Sequence, residues 1–261
     1  MRCLLWRFGM MLVAIVAWVG SSDAGDLTLR FLYEGEPPQP KLIEVKRDVA
    51  FCGQHDLVDE SLLVHPETGG IKNVIVYVYT GRGGSDIDPV PPPGQTRTLN
   101  QKDCRYEPHI LVLQAGDTLQ ITNSDPVGHN PNVSMLRNPP SGLLIPPSQS
   151  PRMKLDKAEP APLPVVCNIH PWMKAYVVVL EHPYAGVSDE QGRLVIKNLP
   201  EEELVFRVFV EAAKRSLDTV NVNGQPQQWT RNRFRYDIQP GNNDMGTVLL
   251  NAEHFRPRDE Q

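Results

Sequence analysis

Residues 167–180 read Cys-Asn-Ile-His-Pro-Trp-Met-Lys-Ala-Tyr-Val-Val-Val-Leu, which joins a reactive loop to an apolar run. The loop carries a thiolate, an imidazole and a thioether, from Cys167, His170 and Met173. Pro171 stiffens the loop, because its ring fixes φ and removes a backbone donor. The run that follows is apolar and rich in valine, which predicts a β-strand. Short runs of this kind, bounded by Gly, Pro, Asn and Asp, recur along the chain and predict an all-β protein.

A second imidazole lies upstream, at His129, beside Asn130. Thiolate and thioether suit Cu(I), while imidazole also suits Cu(II), so one Cys, two His and a weak axial Met form a blue-copper ligand set. The sequence therefore predicts one type 1 copper ion held by His129, Cys167, His170 and Met173. Asn130 is expected to tie the two ligand segments together through polar contacts. Two alternatives stay open: Met173 as an ordinary core residue, and zinc, which favours Cys and His without a thioether.

Residues 107–180 resemble the cupredoxin family, and the heptapeptide is most similar to the copper loop of amicyanins. Both loops share the short two-and-two spacing and the proline after the histidine. The resemblance implies a Greek-key β-sandwich with copper near one end. It further implies that His170 lies near the surface as the electron exit, with Pro171 and Trp172 beside it as an apolar docking surface. Burial of Trp172 as packing is the alternative.

The chain is longer than a small cupredoxin at both ends. As a whole it resembles exported methylamine-utilisation-like proteins, in which a cupredoxin core is joined to additional β-structure. Residues 187–200 resemble a segment of transthyretin or carboxypeptidase-regulatory domains. We therefore predict a copper domain with an N-terminal β extension over residues 25–181, and a small β-sandwich segment over residues 182–261.

The N-terminus is typical of a secretory signal peptide over residues 1–24. Arg2 and Arg7 precede an apolar run over residues 9–20, and Ser22-Asp23-Ala24 resembles a cleavage site. An apolar run of that length is shorter than the roughly 20 residues that span a bilayer, although an uncleaved anchor is the alternative. We expect a periplasmic or secreted protein with no membrane span after signal removal. The net charge of −5 argues against nucleic-acid binding.

Without the signal peptide three cysteines remain: Cys52, Cys104 and Cys167. An odd number in an exported protein needs an explanation, because oxidising compartments favour pairing. The odd number is explained if Cys52 and Cys104 form a disulfide and Cys167 binds the metal. The alternative is that Cys167 is a free or mispaired thiol.

The sequence offers no pattern of an enzyme: it has no glycine-rich phosphate loop and no Ser-centred nucleophile elbow. We therefore predict a non-enzymatic protein that transfers single electrons between a redox donor and an acceptor protein, both unidentified. The alternative is a non-redox binding or surface protein in which copper is structural or stored. Among the other histidines, His109 is expected to be structural and His182 to be a surface or turn residue.

Overall fold

The computed structural model of the chain describes residues 24–256, and almost all of its regular structure is β-strand. The predicted all-β class is therefore confirmed. The predicted signal peptide, apart from residue 24, lies outside the described residues. Within the described part of the chain, no helix has the length and apolar character needed to cross a membrane.

The strands are numbered in chain order. They are β1 (Gly25–Glu34), β2 (Ile75–Val78), β3 (Thr96–Lys102), β4 (Arg105–Glu107), β5 (Ile110–Gln114), β6 (Thr118–Asn123), β7 (Pro131–Val133), β8 (Ser141–Gly142), β9 (Arg152–Lys154), β10 (Leu163–Cys167), β11 (Lys174–Leu180), β12 (Ala185–Val187), β13 (Arg193–Leu199), β14 (Glu203–Phe209), β15 (Thr219–Val222), β16 (Gln225–Gln228), β17 (Arg233–Asp237) and β18 (Gly241–Asn251). Two short helices accompany them, α1 (Val49–Cys52) and a 3-10 turn at Ala252–His254.

The strands form four sheets that pack as two sandwiches. In the first sandwich, the sheet β13-β1-β18-β15-β16 faces the sheet β12-β2-β14-β17 across one apolar core. In the second, the sheet β5-β11-β10-β7-β8 faces the sheet β4-β3-β6-β9 across another. We call the second the metal sandwich, because Cys167 and Met173 lie in its core.

Strand β11 is buried on both faces, which explains its apolar sequence. Val177 and Val179 point into the core of the metal sandwich, whereas Tyr176 and Val178 pack in a third cluster with Ile75 of β2. Successive side chains of a strand point to opposite faces, so one strand can serve two cores. The two sandwiches are therefore packed against each other through β11 and β2.

The sheets do not follow the predicted division between residues 181 and 182. Strand β1 pairs in parallel with β18 along its length, and its side chains Leu27, Leu29 and Phe31 lie in the core of the first sandwich. Strand β2 likewise pairs with β12 and β14. Burying those alternating apolar side chains requires a sheet that the C-terminal strands supply. The first sandwich thus combines strands from both ends of the described chain, with the metal sandwich between them in sequence.

Candidate metal centre

Strand register brings the predicted ligands together at one end of the metal sandwich. Cys167 is the last residue of β10, and the loop over residues 168–173 leads directly into β11. Strand β7 runs antiparallel to β10 with Pro131 opposite Cys167. His129, two residues before Pro131, therefore lies beside the end of β10.

Three of the four predicted ligands form a compact buried group. Nδ1 of His129 lies 2.9 Å from Nδ1 of His170, and Sγ of Cys167 lies 3.8 Å from that same His170 nitrogen. The candidate ligand atoms all lie within 4.8 Å of one another. Both histidines are 0% exposed and Cys167 is 1% exposed.

Each histidine is held through its outer nitrogen by a carboxylate. Nε2 of His129 lies 2.9 Å from Oδ2 of Asp125, and Nε2 of His170 lies 2.8 Å from Oδ2 of Asp48. An ionised carboxylate only accepts hydrogen bonds, so each ring carries a proton on Nε2. In neutral rings both Nδ1 lone pairs then face the interior of the group, which is the orientation that a metal-binding histidine needs.

Hydrogen bonds favour the charged forms of the groups in this centre. Burial raises the pKa of Asp125, but hydrogen bonds from His129 and from the N–H groups of Cys104 and Asp103 outweigh it and lower the pKa. Burial lowers the pKa of His129, whereas Asp125 and Cys167 raise it above the usual value. The carboxylate and the imidazole therefore support each other's charge.

Hydrogen bonds favour the thiolate form of Cys167. Burial raises the pKa of the thiol, but contacts with His129 and His170 and the N–H groups of Asn130 and His170 outweigh it, and the pKa falls to about 5. Both N–H groups lie 3.4 Å from Sγ. The thiolate is the form that binds metals.

This donor set fits a metal ion. Two imidazole nitrogens and one thiolate converge in a buried space, where a bound cation would neutralise the negative charge and accept the nitrogen lone pairs. Thiolate and imidazole together select copper or zinc over calcium and magnesium, which prefer oxygen ligands. The residues present can therefore hold a soft or borderline metal ion.

Asn130 connects the two ligand segments. Its backbone carbonyl accepts a hydrogen bond from N–H of Asn168, at 2.9 Å, and its side-chain oxygen accepts another from Nδ2 of Asn168, at 2.8 Å. Together with the bond from its own N–H to Sγ of Cys167, these contacts fix the spacing between the His129 segment and the loop over residues 168–173.

Met173 lies at the end of the loop and is 1% exposed. Its N–H donates to the carbonyl of His170, at 2.9 Å, and its own carbonyl accepts from N–H of Cys167, at 3.1 Å. The loop is thereby closed on itself by backbone bonds. Its thioether as an axial ligand stays a prediction.

His170 was expected to lie near the surface; it lies beneath the partly exposed Asp48, but its ring does not itself reach solvent. The ring is fully buried, because Asp48 covers its outer nitrogen and Trp172 packs beside it, with ring centres 5.1 Å apart. Trp172 is half-buried and donates from Nε1 to the carbonyl of Cys104, while Pro171 is exposed. Within this loop Asn168 and Pro171 are exposed, and Ile169 and Trp172 are partly exposed.

Two functional candidates were missed by the sequence reasoning, Asp48 and Asp125. Asp125 lies four residues before His129 in the sequence, and that proximity was a usable signal. Asp48 is 122 residues away from His170 along the chain, and no local pattern connects them. The predicted disulfide between Cys52 and Cys104 is present, and Cys167 is the free cysteine among the described residues.

For His109 and His182, the structure confirms one expectation and corrects the other. His109 is buried and structural, with Nε2 lying 2.7 Å from Oε2 of Glu211. His182 was expected to be a surface or turn residue; it lies in the bend between β11 and β12, but it is 2% exposed and so is not at the surface. Its ring stacks on Tyr184 and bonds through Nε2 to the carbonyl of Val78, which lies in β2 of the first sandwich.

No protein-family description matches the chain, and no curated protein matches it by sequence. Several solved structures share part of its fold. A copper-containing nitrite reductase from Thermus scotoductus SA-01 matches at 21% identity and a TM-score of 0.30, over 41% of this chain and 25% of that one. The chain thus spans a quarter of the length of that enzyme.

Amicyanin structures match as well. A reduced Cu(I) form of an amicyanin variant at pH 4 matches at 25% identity over 31% of this chain and 79% of that one, with a TM-score of 0.29. A second reduced variant matches at 20% identity over 46% and 92%, with the same TM-score. At such scores these likenesses are partial and assign no function. What the molecule itself presents is a β-sandwich protein with a buried His-Cys-His group that can hold a metal ion.

Proposed function

We propose that this protein binds a single type 1 copper ion and transfers single electrons. His129, Cys167 and His170 would hold the copper ion, with Met173 as a weak axial ligand. Such a copper ion alternates between Cu(II) and Cu(I) as it accepts and gives up one electron. The observation that carries the proposal is the convergence of three buried donors, with the two Nδ1 atoms 2.9 Å apart.

The surrounding residues would keep this site rigid. Asp125 and Asp48 each fix one imidazole through its outer nitrogen, and Asn130 fixes the distance between the ligand segments. Complete burial excludes water from the donors. A site that is rigid and dry needs little rearrangement when its charge changes, which favours fast electron transfer over ligand exchange.

The loop also supplies a route to the surface. Trp172 contacts the buried ring of His170, and Pro171 next to it is exposed. We place the electron exit at His170, with Trp172 and Pro171 forming the contact surface for redox donor and acceptor proteins.

Other features agree with an exported electron carrier. A disulfide between Cys52 and Cys104 is typical of the periplasm or of secreted proteins. The net charge of −5 does not suit a nucleic-acid surface. In this proposal the protein performs no bond-making chemistry.

Copper loading of the purified protein tests the proposal. The Cu(II) form should show an intense visible absorption and a reversible one-electron wave at an electrode. Cys167→Ser should abolish both, whereas His65→Gln, which changes a histidine in a distant turn, should leave both unchanged. Copper that binds without colour or redox cycling would favour the alternative, a binding or surface protein with structural or stored copper. Preference for zinc over copper would contradict both.

A further inference from the structure

Asp48 has an unusual backbone and an unusual partner. Its φ and ψ are 46° and 41°, in the left-handed region that non-glycine residues rarely occupy. It stands at the N-cap of α1, where an aspartate normally accepts a hydrogen bond from its own helix. Its side chain makes no such bond and reaches His170 instead. Asp48 thus adopts an unfavourable backbone conformation and leaves its own helix uncapped, while its side chain contacts His170.

The position of Asp48 explains what this contact does. Its side chain is 41% exposed, whereas the His170 ring behind it is fully buried. Asp48 therefore stands between solvent and the outer edge of the ring. Its carboxylate accepts from Nε2, which leaves the lone pair on Nδ1, directed at His129 and Cys167.

We propose that Asp48 is the positioning residue of the metal centre, which holds the His170 ring in its binding tautomer and orientation and seals it from solvent. The identity of the metal rests on the proposed copper function, whereas the ring orientation is a property of the metal-free protein. Asp125 holds the His129 ring in the same way, through Nε2, from within the metal sandwich. Asp48, in contrast, belongs to a segment outside the two sheets of that sandwich.

A purely stabilising ion pair is the competing explanation. Exposed or half-exposed ion pairs contribute little to folding stability. Removing Asp48 should then hardly alter the free energy of unfolding, and it should alter nothing at the metal site. A positioning role also predicts little change in the free energy of unfolding, but it predicts a clear change at His170.

Three variants separate the explanations. Asp48→Gly removes the acceptor and suits the left-handed backbone, since glycine adopts positive φ readily. Asp48→Asn keeps an acceptor oxygen and tolerates the same backbone, so it should rescue most of the effect. Asp156→Asn is the matched control, because it removes an exposed carboxylate paired with Lys154, away from the centre.

The first measurement uses the metal-free protein and nitrogen NMR of the imidazoles. Wild type, Asp48→Asn and Asp156→Asn should show His170 with its proton on Nε2. Asp48→Gly should show a mixture of tautomers or exchange broadening. An unchanged His170 signal in Asp48→Gly, with urea unfolding showing a folded protein, would overturn the proposal.

The second measurement is Cu(II) affinity by competition with a chelator, together with the visible spectrum. Loss of a residue that orients a ligand typically lowers metal affinity 10- to 100-fold. Asp48→Gly should show about that loss and a displaced absorption band, and Asp156→Asn neither. Equal affinity and spectrum in Asp48→Gly would refute the positioning role. If copper-loaded wild type showed no colour that depends on Cys167, the copper function would be refuted instead. The NMR result on the metal-free protein would still test whether Asp48 positions His170.

Discussion

Cys52 and Cys104 form a disulfide, and each cysteine also hydrogen-bonds to one of the two aspartates that hold the buried histidines. N–H of Cys52 donates to the carbonyl of Asp48, at 2.8 Å, and so fixes the residue that holds His170. On the other side, N–H of Cys104 donates to Oδ2 of Asp125, at 3.0 Å, which holds His129. One covalent bond therefore links the supports of both imidazoles.

Removing this disulfide should weaken both folding and metal binding. The bond closes a loop of 52 residues, and in the chain-entropy description its loss costs about 4 kcal/mol. We expect Cys52→Ser with Cys104→Ser to lower the free energy of unfolding by roughly that amount, measured by urea titration of the metal-free protein. Cu(II) affinity should fall with it. Full affinity in a folded double variant would show that the two carboxylates are held independently of the bond.

Asp125 should matter for stability as well as for the metal. N–H groups of Asp103 and Cys104, in the turn between β3 and β4, both donate to its carboxylate, at 2.6 and 3.0 Å. Both turn residues have positive φ, so the turn depends on this acceptor. Asp125→Ala leaves the buried N–H of Cys104 and the partly buried N–H of Asp103 without their acceptor, and a buried donor in that state costs about 1–3 kcal/mol.

We expect Asp125→Ala to destabilise the metal-free protein by about 3 kcal/mol in urea, and Asp125→Asn to cost less because one acceptor oxygen remains. Asp156→Asn serves as the control for loss of an exposed carboxylate and should change little. If Asp125→Ala were as stable as wild type, water must accept the hydrogen bonds of the Asp103 and Cys104 N–H groups in its place.

The site was predictable where it is local in sequence. Cys167, His170 and Met173 share one loop, and their residue types alone indicated copper chemistry. The supporting carboxylates were not predictable in the same way. Asp48 and His170 are 122 residues apart, and no periodicity reveals a contact of that range.

The fold was predictable strand by strand, but not in its assembly. The apolar run of β11 indicated a strand, and the structure has one from Lys174 to Leu180. The proline-rich stretch over residues 139–164 contains β8 and β9, which its composition does not indicate. Both are short strands at the edges of their sheets, where few ladder bonds are needed and prolines nearby are tolerated. The pairing of β1 with β18 depends on distant partners that pattern alone does not identify.

A charged cluster between the two sandwiches should make stability fall in acid. Glu211 lies 2.7 Å from Nε2 of His109 and 2.6 Å from Nζ of Lys174, which begins β11. Burial raises the pKa of Glu211, but the bonds from His109 and Lys174 outweigh it and hold the pKa below its usual value of 4.5. A carboxyl with a lowered pKa stabilises the fold above its unfolded value, and that contribution is lost as the pH falls below it.

We therefore expect Glu211→Gln to lose about 2 kcal/mol at pH 7, as is typical of hydrogen bonds to charged groups. Below pH 4.5 its stability should converge on that of wild type, measured by urea unfolding at several pH values. Glu203→Gln, which breaks an exposed pair with Arg235, should track wild type throughout. A constant gap between Glu211→Gln and wild type down to pH 3 would mean that the carboxylate is not the group that titrates.

His182 should make stability depend on pH over a higher pH range than Glu211 does. Burial lowers the pKa of this histidine to about 4, and the carbonyl of Val78 offsets this in part. Because Tyr184 donates its N–H to Nδ1, the proton lies on Nε2, which bonds to that carbonyl. The ring is thus held neutral inside the protein, whereas in the unfolded chain it gains a proton near its usual value of 6.5.

The unfolded chain therefore binds more protons than the folded protein between pH 6.5 and 4, so stability falls as the pH drops through this range. The full effect is roughly 3 kcal/mol, since each unit of pKa corresponds to about 1.4 kcal/mol. His182→Gln keeps a donor for Val78 and cannot take up this proton, so its unfolding free energy should be flatter over that range. Glu211→Gln should keep the His182 slope, because Glu211 titrates below it. An unchanged slope in His182→Gln would assign the loss of stability to other groups.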